Sequence, residues 1–246
     1  MRLYGRIPVL ERLKSKPESI KSIYIQEGHK ELSYIRQKAQ KWGIPVHAVP
    51  SSKLIKLARN LNTQGILVEV SDFAYTPYED LLDECLKRNI TPVFLDSLAD
   101  PQNLGGVIRS LGCFGGFAVV LPTHDSVGVT DTVLRVASGG DNYVAVSQVH
   151  NLKPALDKAK DQGFWIAGTV VEGGERLEDT KFPFPLGLVI GSEHKGIRDV
   201  LKSSLDIKLT IPMAQNRLTL NAAHATTVFC YEIRKQKYLS KKSTHA

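Results

Sequence analysis

The sequence predicts an α/β fold in which a mainly parallel sheet carries helices on both faces. Short, continuous apolar runs recur through the second part of the chain, at 92–95, 117–121, 143–146, 164–167, 186–190 and 207–211. Segments of helical periodicity separate most of these runs, and such alternation is typical of a parallel sheet buried on both sides. A length of 246 residues is sufficient for two domains.

The first part of the chain predicts a smaller α/β unit. Its pattern indicates strands at 22–26, 46–49 and 65–70 and helices at 30–42 and 53–60. Ser51 is the expected N-cap of the second helix. Periodicity is lost over 71–77, which ends in a proline, so the domain boundary is placed there. We therefore expect a first domain, a linker with a connecting helix, a second domain and a disordered basic tail at 1–72, 73–88, 89–238 and 239–246.

Basic residues are concentrated at the two ends of the chain. Residues 1–72 contain 13 Lys and Arg against 6 Asp and Glu, whereas residues 73–233 contain 14 against 19. Residues 234–246 add five basic residues and no acidic one. Because lysine and arginine release condensed counterions from a phosphate backbone, this distribution favours a nucleic-acid partner. The alternative is that the charges only solvate helix faces and a tail.

Composition also disfavours several classes of protein. No apolar run approaches the roughly 18 residues that span a bilayer, and no signal peptide is evident, so we expect a cytoplasmic protein without a membrane partner. Cys85, Cys113 and Cys230 are widely spaced, which fits neither a disulfide framework nor a thiolate metal site; we expect them to be buried. The seven histidines show no close ligand pair, so no metal is expected.

Three polar segments, 103–109, 189–196 and 211–221, each follow a predicted strand. Ligands of open parallel sheets bind outside the carboxyl ends of the strands. Because all three segments lie at such ends, we expect them to form one site. Packing of the core does not require the glycines and polar side chains in these segments.

Each segment also has a purely structural interpretation. Asn103 could cap a helix, and Arg109 could make a surface ion pair. Gly105 and Gly106 weigh against this, since a glycine within a helix costs roughly 1 kcal/mol and suggests close approach by another backbone or a ligand.

The second and third segments have similar alternatives. Gly191 would let a ligand approach the main chain, with Glu193 beside it, but the segment could also be a simple turn. His194 is interpreted as an ordinary loop histidine. Thr219 or Asn221 could cap the last helix, a role that is compatible with a functional one.

Together these segments resemble the three motifs of the SpoU branch of the SPOUT RNA methyltransferases, also called the TrmH family. The matches are Asn-x-Gly-x-x-x-Arg at 103–109, Gly-x-Glu-x-x-Gly at 191–196, and Ile-Pro-Met at 211–213 followed by Leu-Asn at 220–221. Thr219 stands where the family usually has serine. Segments in the first domain, at 4–10, 43–46 and 64–66, resemble the L30e-like domain of ribosomal RNA guanosine 2'-O-methyltransferases in this family. The resemblance covers nearly the whole chain.

The resemblance implies a small L30e-like α/β domain that binds the RNA substrate, followed by a parallel-sheet SPOUT domain with a C-terminal trefoil knot. It implies that S-adenosylmethionine binds in the knot, where we expect contacts from Thr169, Gly191, Ile211, Met213 and Leu220. The catalytic residues that it implies are Asn103, Arg109, Glu193, Thr219 and Asn221. It also implies a homodimer in which Arg109 acts beside residues of the other chain.

The expected reaction is methyl transfer to a ribose 2'-hydroxyl, with a guanosine of large-subunit ribosomal RNA as the expected target. Alternative targets are transfer RNA and the ribosomal positions that confer antibiotic resistance. A noncatalytic RNA-binding module for ribosome assembly is a second class of function. A nucleotide-dependent oxidoreductase is a third, disfavoured because the chain lacks a Gly-x-Gly-x-x-Gly loop.

Overall fold

A computed structural model describes residues 1–192, 195–215 and 218–243, with the side chains of 240–243 excepted. The first domain is a mixed four-stranded sheet with three helices. In chain order its elements are β1 (Arg2–Tyr4), α1 (Arg6–Ser15), β2 (Ile20–Gln26), α2 (Leu32–Gln40), β3 (Val46–Val49), α3 (Ser51–Leu57) and β4 (Ile66–Val70). The strand order is β1-β4-β2-β3, with β2 and β3 parallel and the other pairs antiparallel. The smaller α/β unit is therefore confirmed.

The second domain contains a seven-stranded sheet in which every strand pair is parallel. It begins with α4 (Tyr78–Arg88), β5 (Thr91–Leu95), α5 (Pro101–Phe114), β6 (Phe117–Pro122), α6 (Asp131–Ala137), β7 (Val146–Val149) and α7 (Leu152–Asp161). It continues with β8 (Trp165–Thr169), β9 (Glu175–Arg176), β10 (Leu186–Ile190), α8 (Asp199–Lys202), β11 (Ile207–Thr210) and α9 (Ala222–Ser243). The parallel sheet predicted from the apolar runs is confirmed.

The strand order of this sheet, β7-β6-β5-β10-β8-β11-β9, brings the last part of the chain back to its centre. β10 lies between β5 and β8, although β8 precedes it in sequence. β11 then pairs with the other edge of β8. The carboxyl ends of β8, β10 and β11 are therefore neighbours. The trefoil knot stays a prediction.

Two adjacent glycines of helix α5 allow it to pack closely against α6 and α9. A β-carbon on Gly105 would lie 2.5 Å from the Val136 Cβ in α6, and one on Gly106 would lie 3.0 Å from the Ala223 Cβ in α9. Of the two explanations for these glycines, close helix packing is the one that the structure supports. The packing fixes the position of α5, which carries Asn103 and Arg109.

Several local predictions were wrong. Helix α3 has Pro50 rather than Ser51 at its N-cap. The strand expected at 143–146 lies at Val146–Val149, since a short 3₁₀ turn at Gly140–Asn142 delays the strand until the chain pairs with β6. Helix α9 continues to Ser243, so residues 239–243 are helical instead of disordered.

Two cysteines are buried as expected, and the third is not. Burial raises the pKa of the Cys85 thiol to about 12 and also raises the pKa of Cys230, which keeps both protonated. Cys113, on α5, is exposed, so the expectation of burial was wrong for this residue. Among the described helices, none is both long and apolar enough to cross a membrane.

Candidate functional site

A cleft of about 480 Å³ opens at the carboxyl ends of β8, β10 and β11. Its walls come from the segments that follow these strands and from the start of α9. The side chains and main-chain groups that line it belong to residues 169–172, 190–192, 195–197, 202, 210, 211, 213, 219, 220, 222, 225 and 229. The cleft therefore lies at the carboxyl ends of the strands, where ligands of parallel sheets are expected to bind.

The five residues predicted to contact a cofactor all line this cleft. Thr169 ends β8, Gly191 follows β10, and Ile211 and Met213 follow β11. Leu220 contributes from the segment before α9, next to Thr219, which also lines the cleft. Residues from three distant parts of the chain thus share one cavity.

The loop after β10 closes on itself at the edge of the cleft. Ser192 and Gly196 form an antiparallel bridge, with N–H···O distances of 3.1 and 2.9 Å. A β-carbon on Gly191 would lie 2.2 Å from the Gly196 carbonyl carbon and 2.3 Å from the Ile197 nitrogen. Gly191 is therefore needed for this closure, a role that differs from the ligand approach expected from the sequence.

The same loop is anchored by Asp96, a residue outside the three sequence motifs. Asp96 directly follows β5 and is fully buried. Its carboxylate accepts hydrogen bonds from the Arg198 backbone N–H at 2.8 Å and from Arg198 Nε at 2.7 Å. The available signal was an acidic residue directly after an apolar strand, which is unfavourable to bury unless it is paired.

Replacing Asp96 with alanine should destabilise the protein and loosen the loop. The Arg198 N–H loses a charged acceptor, so we expect the free energy of unfolding to fall by about 2–3 kcal/mol. Urea denaturation measures this change. Asp199→Ala is the control, since this neighbouring carboxylate is solvent-exposed and pairs with Lys202, 2.7 Å away; it should leave stability nearly unchanged. Equal losses in both variants would contradict an anchoring role for Asp96.

Asn103 and Arg109 lie on α5 and do not line the cleft of their own chain. The cap of α5 is Asp100, whose carboxylate accepts a hydrogen bond from the Gln102 N–H at 2.8 Å, so Asn103 is not the cap. Asn103 is buried, whereas Arg109 is exposed. Among the described residues, no carboxylate lies within ion-pair distance of Arg109.

Helix α9 separates α5 from the cleft. One face of α9, with Ala222, Ala225 and Phe229, lines the cleft. Another face of α9 contacts α5 through Ala223, and through a 2.7 Å hydrogen bond between the Thr227 and Ser110 hydroxyls. Arg109 is thus one helix away from the cavity.

The remaining predicted residues lie at the start of α9 and in the loop after β10. Asn221 is exposed, and its Oδ1 accepts a hydrogen bond from the His224 N–H at 2.8 Å, which makes it a cap of α9. Glu193 and His194 lie outside the described residues.

The lining of the cleft combines apolar, hydroxyl and charged groups. Phe229, Ile211 and Met213 supply apolar surface, Thr169 and Thr219 supply hydroxyls, and Lys195, Lys202 and Glu172 supply charges. This combination suits an organic ligand with a ring system and ionic groups. In the part of the chain that the structure describes, no group of three or more His, Cys, Asp and Glu could hold a metal ion.

Two family models match the chain. The SpoU rRNA methylase family matches residues 91–231, which is more than half of the sequence. A model described as RNA 2'-O ribose methyltransferase substrate binding matches residues 2–76. The two matches follow the division into two sheets.

Similar proteins are found among curated sequences and solved structures. A Staphylococcus epidermidis protein, provisionally named a TrmH family tRNA/rRNA methyltransferase, is 36% identical over 98% of both chains. An uncharacterized tRNA/rRNA methyltransferase of Synechocystis is 37% identical over 82% of this chain, which spans 53% of that protein's length. The structure of the SpoU methyltransferase AviRb from Streptomyces viridochromogenes with AdoMet has a TM-score of 0.77 at 21% identity, covering 97% of this chain and 90% of that one. The chain therefore belongs to the SpoU rRNA methylase family, also named TrmH, of RNA methyltransferases.

Proposed function

We propose that this protein transfers a methyl group from S-adenosylmethionine to a ribose 2'-hydroxyl of RNA in the cytoplasm. The observation that carries the proposal is the single cleft lined by the ends of β8, β10 and β11, which gathers the five expected cofactor contacts. The match of residues 2–76 to a 2'-O ribose substrate-binding model supports the ribose as acceptor. A guanosine of large-subunit ribosomal RNA is the first target to test.

The cleft fits S-adenosylmethionine in size and chemistry. A volume of about 480 Å³ lies within the range of cofactor pockets. The apolar wall around Phe229 and Ile211 suits the adenine ring of the cofactor. The hydroxyls of Thr169 and Thr219 suit the ribose of the cofactor. Lys195 and Lys202 provide cations for a carboxylate. When bound, S-adenosylmethionine would supply the methyl group: the ribose 2'-oxygen would bond to the methyl carbon, the carbon–sulfur electron pair would return to sulfur to leave S-adenosylhomocysteine, and the hydroxyl proton would pass to solvent water.

Arg109 is the residue to which we assign stabilisation of the acceptor. Its guanidinium stays protonated in proteins, so it does not act as a base. It can hold the phosphate next to the target ribose and stabilise negative charge that develops on the 2'-oxygen. Asn103, Glu193, Thr219 and Asn221 are proposed to orient Arg109 and the ribose.

The position of Arg109 supports a site shared between two subunits. Arg109 is exposed and does not line its own cleft. The outer faces of α5 and α9 also expose Tyr231, whose ring lies 6.2 Å from that of Phe114, and Val228. We therefore propose a homodimer that packs through these faces, in which Arg109 of one chain completes the cleft of its partner.

Mixing two inactive variants tests this arrangement. Arg109→Ala keeps the cleft, and Gly191→Ala keeps Arg109, so a mixed dimer has one complete site only if Arg109 acts across the interface. After unfolding and refolding the two chains together, random pairing should restore about a quarter of the wild-type transfer rate. Each variant refolded alone is the control. No recovery in the mixture would contradict a shared site.

Incubation of the protein with labelled S-adenosylmethionine and total RNA distinguishes a methyltransferase from a noncatalytic RNA-binding module. Label in RNA supports methyl transfer. Binding of S-adenosylmethionine without transfer to any RNA would favour a noncatalytic RNA-binding module, and no binding would contradict both. Mapping ribose methylation in cells that lack the protein then identifies the target and distinguishes ribosomal from transfer RNA.

A further inference from the structure

The turn formed by residues 139–143, called here the 139–143 turn, lies between the first domain and α5. On one side it contacts α1: Glu11 accepts a hydrogen bond from the Tyr143 hydroxyl, and a β-carbon on Gly139 would lie 2.6 Å from Glu11 Cγ. Gly139 has a φ of 94°, a conformation that favours glycine. The turn is therefore closely fitted to α1.

On its other side the same turn contacts the backbone of α5 at Arg109. A β-carbon on Gly140 would lie 2.8 Å from the Ile108 carbonyl oxygen and 2.9 Å from Arg109 Cα. A β-carbon on Gly112, one turn further along α5, would lie 2.9 Å from Gly140 Cα. The two backbones touch, so a displacement of the turn must displace this part of α5.

A buried ion pair joins the first domain to the turn. The Arg12 guanidinium on α1 donates to the Asp141 carboxylate, and the two side chains are 8% and 1% exposed. Arg12 is held in place by a second hydrogen bond, 3.1 Å long, to the Ser19 hydroxyl. Burial raises the pKa of Asp141 above its ordinary value even though Arg12 lies beside it. An unpaired carboxylate at this position would be strongly unfavourable, so the turn and α1 are expected to stay together.

We propose that Arg12 and Asp141 are positioning residues that couple the placement of the RNA-binding domain to the placement of Arg109. The proposal rests on the proposed function, in which Arg109 acts on the ribose. Arg12 is not among the described residues that line the cleft. It acts through Asp141 and the 139–143 turn, which sets the backbone of α5 beneath Arg109.

Variants of the full-length protein test the coupling by activity. Arg12→Met and Asp141→Asn should lower the transfer rate at saturating RNA roughly 10- to 100-fold, because small misplacements of a reacting geometry have effects of this size. The affinity for S-adenosylmethionine and the half-saturating RNA concentration should change by less than about threefold. Arg12→Lys, which retains the cation, should recover part of the rate. The probes are labelled S-adenosylmethionine and total RNA from cells that lack the protein.

Hydrogen–deuterium exchange of residues 105–112 provides a readout that does not depend on activity. Arg12→Met and Asp141→Asn should increase deuterium uptake in this part of α5. The matched control is Asp206→Asn, which removes the charge of a partly buried carboxylate that pairs with Lys160 at 2.7 Å and accepts the Ile166 N–H at 2.8 Å, neither of which belongs to the turn. This control should change neither the rate nor the uptake in α5.

Failure of the proposed coupling can be distinguished from failure of the proposed function. An unchanged saturating rate with unchanged exchange in α5 would overturn the coupling, as would an effect on the half-saturating RNA concentration alone. If the wild-type protein transfers no methyl group, the proposed function fails, and exchange alone then decides the coupling. If a single variant does not fold, the double variant Arg12→Met/Asp141→Asn, which leaves no unpaired buried charge, decides the matter by the same two measurements.

Discussion

Arg109→Ala is expected to lower the rate of methyl transfer by about 10²- to 10³-fold, the usual cost of removing one donor that stabilises developing oxygen charge. The affinity for S-adenosylmethionine should remain, because Arg109 is assigned to the acceptor ribose and its phosphate, whereas the expected cofactor contacts come from the residues that line the cleft. Single-turnover transfer with labelled cofactor measures the first quantity, and equilibrium binding of S-adenosylmethionine measures the second.

Two further variants show whether the effect depends on the arginine side chain and on its position. Arg109→Lys keeps the charge but loses the planar fork that matches a phosphate, so it should have an intermediate rate. Arg88→Ala removes another exposed arginine of the same domain, which pairs with Glu84 at 2.7 Å, and should transfer at the wild-type rate. Loss of both transfer and cofactor affinity in Arg109→Ala would mean that the residue has an architectural role.

Gly191→Ala is expected to weaken S-adenosylmethionine binding by about 100-fold or more, through displacement of the loop that follows β10. The added methyl group would overlap backbone atoms of Gly196 and Ile197, at 2.2 and 2.3 Å, which cannot turn aside as a side chain can. Because residues 195–197 line the cleft, its shape must change. Calorimetric titration with S-adenosylmethionine measures the loss.

Gly187→Ala is the matched control on the same strand. Its β-carbon would lie 3.0 Å from Ile166 Cδ1 and 3.1 Å from Phe94 Cε2, both of which are side-chain atoms in the core. This variant should lose some stability and retain cofactor affinity. Wild-type affinity in Gly191→Ala, or an equal loss of affinity in both variants, would contradict the role assigned to the loop.

The sequence predicted the parallel sheet well because its strands are buried on both faces. A run such as Leu186–Ile190 is apolar at every position, and its bounds were predicted correctly. The strand at Val146–Val149 was misplaced because the preceding residues are equally apolar, while its start is set by pairing with β6. Periodicity reports burial, whereas register depends on contacts between distant residues.

The convergence of the site was also predictable, although its internal contacts were not. Parallel strands end at a common edge, so Thr169, Gly191 and Ile211 could be expected to meet. Whether Gly105 and Gly106 face a ligand or a helix could not be decided from spacing alone, since both require close approach. The partners of Asp96 and Asp141 are 102 and 129 residues away in sequence, beyond any local pattern.

Ribose 2'-O-methylation of RNA, the claim on which the proposed function depends, is tested by locating the methyl group on the RNA product. Alkali cleaves RNA through a free 2'-hydroxyl, so a methylated 2'-oxygen leaves an uncleaved dinucleotide. After incubation with labelled S-adenosylmethionine and total RNA from cells that lack the protein, followed by complete alkaline hydrolysis, we predict that the label appears in alkali-resistant dinucleotides. Label confined to mononucleotides would mean that a base is methylated and would contradict the claim.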